Sequence, residues 1–123
     1  MEIGIDIIEI DRIAHMLEKY PNFRYRIFTQ REVSYCEKKK YPPQHYAARF
    51  AAKESIMKTL GTGWSESVRW KDLEITEGPS GKPCVRLHDR ASAVSKQQGV
   101  KEVKVSLSHC KLYAVAVAQL IKD

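Results

Sequence analysis

Cysteine is scarce in this 123-residue chain: Cys36, Cys84 and Cys110 are odd in number, widely spaced and form no C-x-x-C pair. That excludes a disulfide framework and a thiolate zinc or dithiol redox centre, and it fits reduced thiols in a reducing compartment. Long apolar runs are missing as well. No segment approaches the roughly 18 apolar residues of a membrane-spanning helix. Met1-Glu2-Ile3-Gly4 has neither the basic flank nor the apolar stretch of a secretory signal, so the expected location is cytoplasmic, without membrane attachment. Repeats, linkers and low-complexity segments are absent, and His15, His45, His88 and His109 show no metal-ligand spacing. There is no G-x-S-x-G, and Gly61-Thr62-Gly63 follows a helical pattern instead of opening one, which removes the phosphate-binding logic of a P-loop. Acidic side chains are in deficit, 15 against 21 Lys and Arg, for a net charge of +6 and a pI near 9.3. A positive field speeds encounter with anions, and on charge alone a nucleic acid, a membrane surface or an acidic protein would qualify.

What is present describes one domain over residues 1–123, of ordinary globular composition at 43% hydrophobic and 29% charged. The β-branched run Ile3 to Ile10 reads as a strand with Ile3, Ile5 and Ile7 on one face and Gly4, Asp6 and Ile8 on the other. Asp11 stands where an N-cap belongs, and Ile13, Met16, Leu17 and Tyr20 follow at helical spacing until Pro21. Thr29-Gln30-Arg31-Glu32 is a capping box with Phe28 and Val33 at the staple positions, which opens a second helix to about Lys38. After the Pro42-Pro43 break, a long third helix runs from about Gln44 to Leu60, and Gly61 is its left-handed cap. Strands at 73–76 and 84–87 flank the turn-rich 78–83, a short helix precedes Gly99, and strands at 103–109 and 113–121 end the chain. The pattern predicts an α+β fold with a mostly antiparallel sheet packed with a long central helix.

Two anomalies carry chemistry. Asp6 lies among five isoleucines, where a carboxylate is costly unless a cation or strong donors meet it; an edge position facing water or an arginine partner would also satisfy it. Glu54 and Lys58 are four apart on the third helix, the spacing of an ordinary surface ion pair, yet that helix is apolar on several sides. A strand Asp and a helix Glu are hard oxygen ligands, too few for calcium but suited to Mg²⁺, which retains waters and takes substrate phosphates. Arg49, Lys53 and Lys58 could then hold the remaining phosphate oxygens, and a two-carboxylate, one-lysine site points to phosphate transfer. Spacing by itself does not bring Asp6 to Glu54. His109 shares a strand face with Val103, Val105 and Leu107, the setting of a core or sheet-end histidine.

Taken in order, Gly4-Ile5-Asp6 with Arg12-Ile13, Phe28-Thr29 with Glu32 and Tyr35, Arg49-Phe50-Ala51-Ala52-Lys53-Glu54-Ser55 through Lys58 to Gly61-Thr62-Gly63, Gly81-Lys82-Pro83, and Val105 to His109 resemble the short 4′-phosphopantetheinyl transferases. The likeness spans essentially the whole chain. It implies transfer of 4′-phosphopantetheine from coenzyme A to a serine of an acidic apo acyl carrier protein, releasing 3′,5′-ADP, in support of fatty acid biosynthesis. It further implies Mg²⁺ on Asp6 and Glu54, catalysis by Glu54 and Lys58, and coenzyme A contacts from Arg49, Lys53, Lys58, Gly61, Gly81, Lys82, Pro83 and His109. Carrier docking would fall on Arg12, Met16, Phe23 and Arg26, and the assembly would be a homotrimer with sites between subunits. Glu2, Ser55 and Cys110 depart from residues usual at their positions, and none is an expected ligand.

Two other classes remain to compare. A nucleic-acid module would interleave aromatic and basic residues on a strand face, but these strands carry Val, Leu, Ile and Ala. A noncatalytic scaffold for acidic carriers has no need of Asp6, Glu54 and Lys58. The expectation is therefore an enzyme with an acidic protein partner and no nucleic acid.

Overall fold

Alternating isoleucines build β1 (Ile3–Glu9), and in the computed structural model, which describes residues 2–61 and 67–123, this strand opens the fold beside the last one. Thr62 and Gly63 of the motif after Leu60 lie outside the described residues. Helices α1 (Ile10–Lys19), α2 (Phe23–Ile27), α3 (Gln30–Glu37) and α4 (Pro42–Leu60) follow, then a 3₁₀ turn at Trp70–Asp72. The hairpin of β2 (Leu73–Glu77) and β3 (Pro83–Leu87), helix α5 (Asp89–Gln97), β4 (Val100–His109) and β5 (Tyr113–Lys122) complete the order. The fold is α+β with antiparallel pairing in a three-stranded sheet, β1-β5-β4, and in the separate β2-β3 hairpin.

Local signals explain most of the boundaries. The Thr29 hydroxyl accepts from the Glu32 amide while the Glu32 carboxylate accepts from the Thr29 amide, so α3 begins with both halves of its capping box. Gly61, at φ +70, closes α4 in the left-handed region. Two expectations need correction, and one element is new. Asp11 does not cap α1, which starts at Ile10 after Glu9, so the acid sits inside the first turn. Pro42 and Pro43 start α4 instead of breaking the chain before it, because a first-turn residue has no intrahelical N–H partner to lose. Helix α2 was unforeseen, being a five-residue turn squeezed between Pro21 and Thr29.

Helix α4 lies across the inner face of the sheet. There Ala114, Ala116 and Ala118 of β5 meet a helix surface rich in buried Ala47, Ala48, Ala51 and Ala52, and small side chains on both partners allow close approach. Ile8, Ile10, Ile13, Leu17 and Leu120 fill the margins of this core. The outer face of β1 is the surprising one: Ile5 and Ile7 remain 60% and 63% exposed, beside exposed Ile3 and Tyr113. Asp6 therefore points toward the helix side, and the isoleucine face points away from the core.

Candidate functional site

Asp6 is carried to α4 by strand alternation, since Gly4, Asp6 and Ile8 share the face that the helix covers. Lys58 Nζ donates to Asp6 Oδ1 at 2.9 Å and to the Ile5 carbonyl at 3.3 Å, so a residue 52 positions away supplies the partner the sequence required. Glu54 lies one helical turn before Lys58 and is half-buried. Burial pushes its carboxyl above the ordinary value and the charge of Asp6 adds to the rise, while Lys58 and Arg12 oppose it. Lys58 itself is held protonated above its usual range, first by the hydrogen bond to Asp6. Two carboxylates within electrostatic reach, facing one exposed ammonium, form a set of hard oxygen donors that fits Mg²⁺. Among the described residues no group of three or more His, Cys, Asp and Glu is arranged to hold a metal.

A second cluster gathers along the first half of α4. Gln44 Nε2 lies 2.6 Å from His109 Nδ1, and the His45 ring meets the His109 ring edge-on at 5.9 Å. His109 is thus a sheet-end residue, exposed where β4 stops. One turn on, Arg49 stacks over Tyr35 at 3.9 Å and donates to Glu77 at 3.2 Å, yet its buried Nε has no hydrogen-bond partner among the described residues. A buried guanidinium with a spare donor is costly on its own and is suited to an anion. Burial lowers the His45 pKa, helped by Lys39 and Arg49, as expected where cations crowd together. Tyr35 and Gln44 were not foreseen as contributors; the signal was the placement of Tyr35 in the same ordered set of residues as Arg49.

Lys53 is placed differently from its expected coenzyme A contact. Its ammonium donates to Ile27 O at 2.9 Å, Glu32 Oε1 at 2.8 Å and Trp70 O at 3.0 Å, and its side chain is fully buried. With three donors spent on α2, α3 and the 3₁₀ turn, nothing is left for a phosphate. Glu32 in turn accepts from the amides of Thr29 and Ile75, so one carboxylate ties the α3 cap to β2.

The remaining expected residues fall on two other surfaces. Gly81, in the left-handed region at φ +82, with Lys82 and Pro83 forms the tip of the β2-β3 hairpin, and Lys82 and Pro83 border a cleft of about 720 Å³ against Glu102 to Ser106 of β4. That cleft adjoins β4, the sheet strand farthest from β1. Gly61 is exposed at the end of α4. Met16, Phe23 and Arg26 share a groove of about 380 Å³ with Tyr20, Pro21 and Asn22, and exposed Arg12 lies close enough to lower the Glu54 pKa. Of the four α1 and α2 residues, Arg12 is the one within electrostatic reach of the carboxylates, while Met16, Phe23 and Arg26 line their own groove.

Residues 2–118 match the 4′-phosphopantetheinyl transferase superfamily. A holo-[acyl-carrier-protein] synthase of Moorella thermoacetica is 48% identical over 118 residues, covering 96% of this chain and 91% of that protein. Among solved structures, the holo-[acyl-carrier-protein] synthase of Neisseria meningitidis superposes with a TM-score of 0.89 at 30% identity, covering 98% of this chain and 97% of its own. The holo-(acyl-carrier-protein) synthase of Bacillus anthracis, in complex with CoA (3′,5′-ADP), gives 0.80 at 36% identity over 98% and 96%.

Proposed function

The chain belongs to the 4′-phosphopantetheinyl transferase superfamily, and from that premise we propose that it is a holo-acyl-carrier-protein synthase, moving 4′-phosphopantetheine from coenzyme A to a serine of apo acyl carrier protein and releasing 3′,5′-ADP. The observation that carries this reading is the meeting of Asp6, Glu54 and Lys58 from opposite ends of the first 58 residues. Asp6 and Glu54 would hold Mg²⁺, which supplies positive charge against the phosphate oxygens. Lys58, more than half exposed, can turn from Asp6 to the phosphate under attack and stabilise charge that grows in the transition state. Either Glu54 or a metal-linked water would take the serine proton. Arg49, with its unpartnered Nε, and His109 are suited to phosphate oxygens farther along the donor.

The acidic carrier would dock on Arg12, Met16, Phe23 and Arg26: a largely apolar groove holds Met16, Phe23 and Arg26, and Arg12 on the same helix as Met16 lies within electrostatic reach of Glu54. Charge supports this partner, since the chain carries +6. Cytoplasmic fatty acid synthesis is the setting in which such a carrier is used; among the described residues no helix is long and apolar enough to cross a membrane.

A homotrimer completes the proposal. Ile3, Ile5, Ile7 and Tyr113 form an exposed apolar face that a lone subunit would leave in water. The hairpin tip at Gly81-Lys82-Pro83 lies by β4, on the opposite side of β5 from Asp6, so a neighbouring subunit can bring it to the carboxylates. The test is incubation with apo carrier, coenzyme A and Mg²⁺, followed by mass spectrometry for attached phosphopantetheine and released 3′,5′-ADP, with mass by light scattering. An unmodified carrier would overturn the activity, and a monomeric mass would overturn the shared site.

A further inference from the structure

We propose that Gly4 is a positioning residue for the carboxylate pair: its missing side chain sets how closely β1 rests on α4, and hence how far Asp6 stands from Glu54. The proposal rests on the reading of Asp6 and Glu54 as metal-holding groups. A Cβ built on Gly4 would overlap the Thr59 hydroxyl and the Ser55 carbonyl oxygen and would press on Thr59 Cβ at 3.3 Å. Neither obstacle is the loose end of a flexible side chain. The Thr59 hydroxyl is pinned by donating to Ser55 O at 2.6 Å, and Ser55 is buried within the helix with its own hydroxyl donating to Ala52 O at 2.8 Å.

The strand is the part that would yield. β1 has one sheet neighbour, β5, whereas α4 is packed against β1, β5, α1 and β2. Asp6 is two residues from Gly4 on the same face, about 6.6 Å along the strand, so lifting the strand at Gly4 lifts Asp6 with it. Lys58 shows how close the fit is, since its ammonium reaches both Asp6 and the Ile5 carbonyl from one position. Gly4 thus acts through Asp6 and touches no substrate itself. The conformational freedom of glycine is not what is used here, because β1 is regular; the absence of a side chain is.

Lengthening the acid separates a positioning role from a merely structural one. Asp6→Glu adds one methylene, about 1.5 Å of bond length, which should restore reach after the strand has been lifted. Mn²⁺ binding, measured by calorimetry on the full chain without coenzyme A or carrier, is the readout, with thermal melting as the control for folding. Gly4→Ala should weaken Mn²⁺ by roughly 10–100-fold, the range seen when a group supporting a ligand is altered. Asp6→Glu should weaken Mn²⁺ in the native background yet strengthen it in the Gly4→Ala background, a reversal of sign between the two. Should Gly4→Ala fail to fold, the same comparison is made with Gly4→Ala/Thr59→Ala, which removes the hydroxyl from the contact. Native Mn²⁺ affinity in the Gly4→Ala variant, or equal harm from Asp6→Glu in both backgrounds, would overturn the positioning role. Asp6→Ala distinguishes the two claims: if it binds Mn²⁺ as the native protein does, the metal reading itself fails and takes this proposal with it.

Discussion

Replacing Lys53 by methionine should cost the protein its stability far more than its affinity for coenzyme A. Methionine fills much of the volume of the lysine stem but supplies none of the donors to Ile27 O, Glu32 Oε1 and Trp70 O. Burial pulls the Lys53 pKa down and Glu32 works against that fall, so the pair survives by mutual satisfaction in a fully buried site. Removing one partner of such a pair costs about 3–5 kcal/mol, because the other charge is left buried. A chain of this length has about 6–18 kcal/mol of stability in total. The loss corresponds to a fall in Tm of roughly 10–20 °C by calorimetry. Changing Glu32 to leucine as well should not restore the native value, since the Thr29 and Ile75 amides would then lose their acceptor, at about 1–3 kcal/mol each. Below its melting range the single variant should retain the native KM for coenzyme A. An unchanged Tm together with a raised KM would show that Lys53 leaves the core to meet substrate, and the argument would be wrong.

Asp6→Ala and Glu54→Ala should each abolish transfer with the fold retained, and Lys58→Ala should lower kcat roughly 10²–10³-fold with less effect on coenzyme A binding; a change below about threefold in any of them, in a transfer assay, would refute the site. Arg12→Glu should raise KM for the carrier and leave that for coenzyme A nearly unchanged, with capture slowing as salt is added; equal effects on both substrates would remove the docking assignment. Burial alone would raise the Glu74 carboxyl, yet hydrogen bonds from Thr29 and His88 bring it below its ordinary value of 4.5. A depressed carboxylate stabilises the fold above its unfolded pKa and loses that contribution as pH falls through the lower folded value. Glu74→Gln should therefore cost about 1–2 kcal/mol at neutral pH. The difference in melting should vanish in acid, and a difference that persists there would exclude this account.

Much of the site was legible because its chemistry conflicts with its setting. An aspartate among isoleucines and an acid on an apolar helix both demand an explanation, and Asp6 and Glu54 lie within electrostatic reach of each other, with Lys58 bonded to Asp6. The caps of α3 and α4 were equally readable, since Thr29, Glu32 and Gly61 act through their nearest neighbours, whereas Asp11 proved to sit inside the first turn of α1. Lys53 was misassigned for the opposite reason. Two of its acceptors are main-chain carbonyls and the third is a glutamate 21 positions away, so no local pattern distinguishes it from Lys58. Which face of β1 is covered could not be read either. Isoleucines normally mark the inner face, but here the inner face must admit α4 closely, and Gly4 and Asp6 take it.

The segment Arg49 to Lys58 is specific because almost every residue in it answers to a different surface. Arg49 leaves toward Tyr35 and Glu77, Phe50 stacks on Trp70 at 4.9 Å, and Ala51 and Ala52 are buried in the small-residue interface with the sheet. Lys53 then locks the helix to α2 and α3, while Glu54, about 100° further round, turns to the edge where Asp6 waits. Ser55 offers the carbonyl against which Gly4 rests, and Lys58, one turn past Glu54, emerges into solvent. A helix with a separate duty on every side has no free polar face, which is why its apolar residues show no single stripe. The buried lysine is what makes the exposed one useful. With α4 fixed in rotation by Lys53, the backbone under Glu54 and Lys58 cannot turn away from β1 without pulling three hydrogen bonds out of the core, and only the side chain of Lys58 is left free to move. On the reading proposed above, Glu54 and Lys58 are therefore oriented before any substrate arrives, and the energy that holds them comes from the core contacts of Lys53.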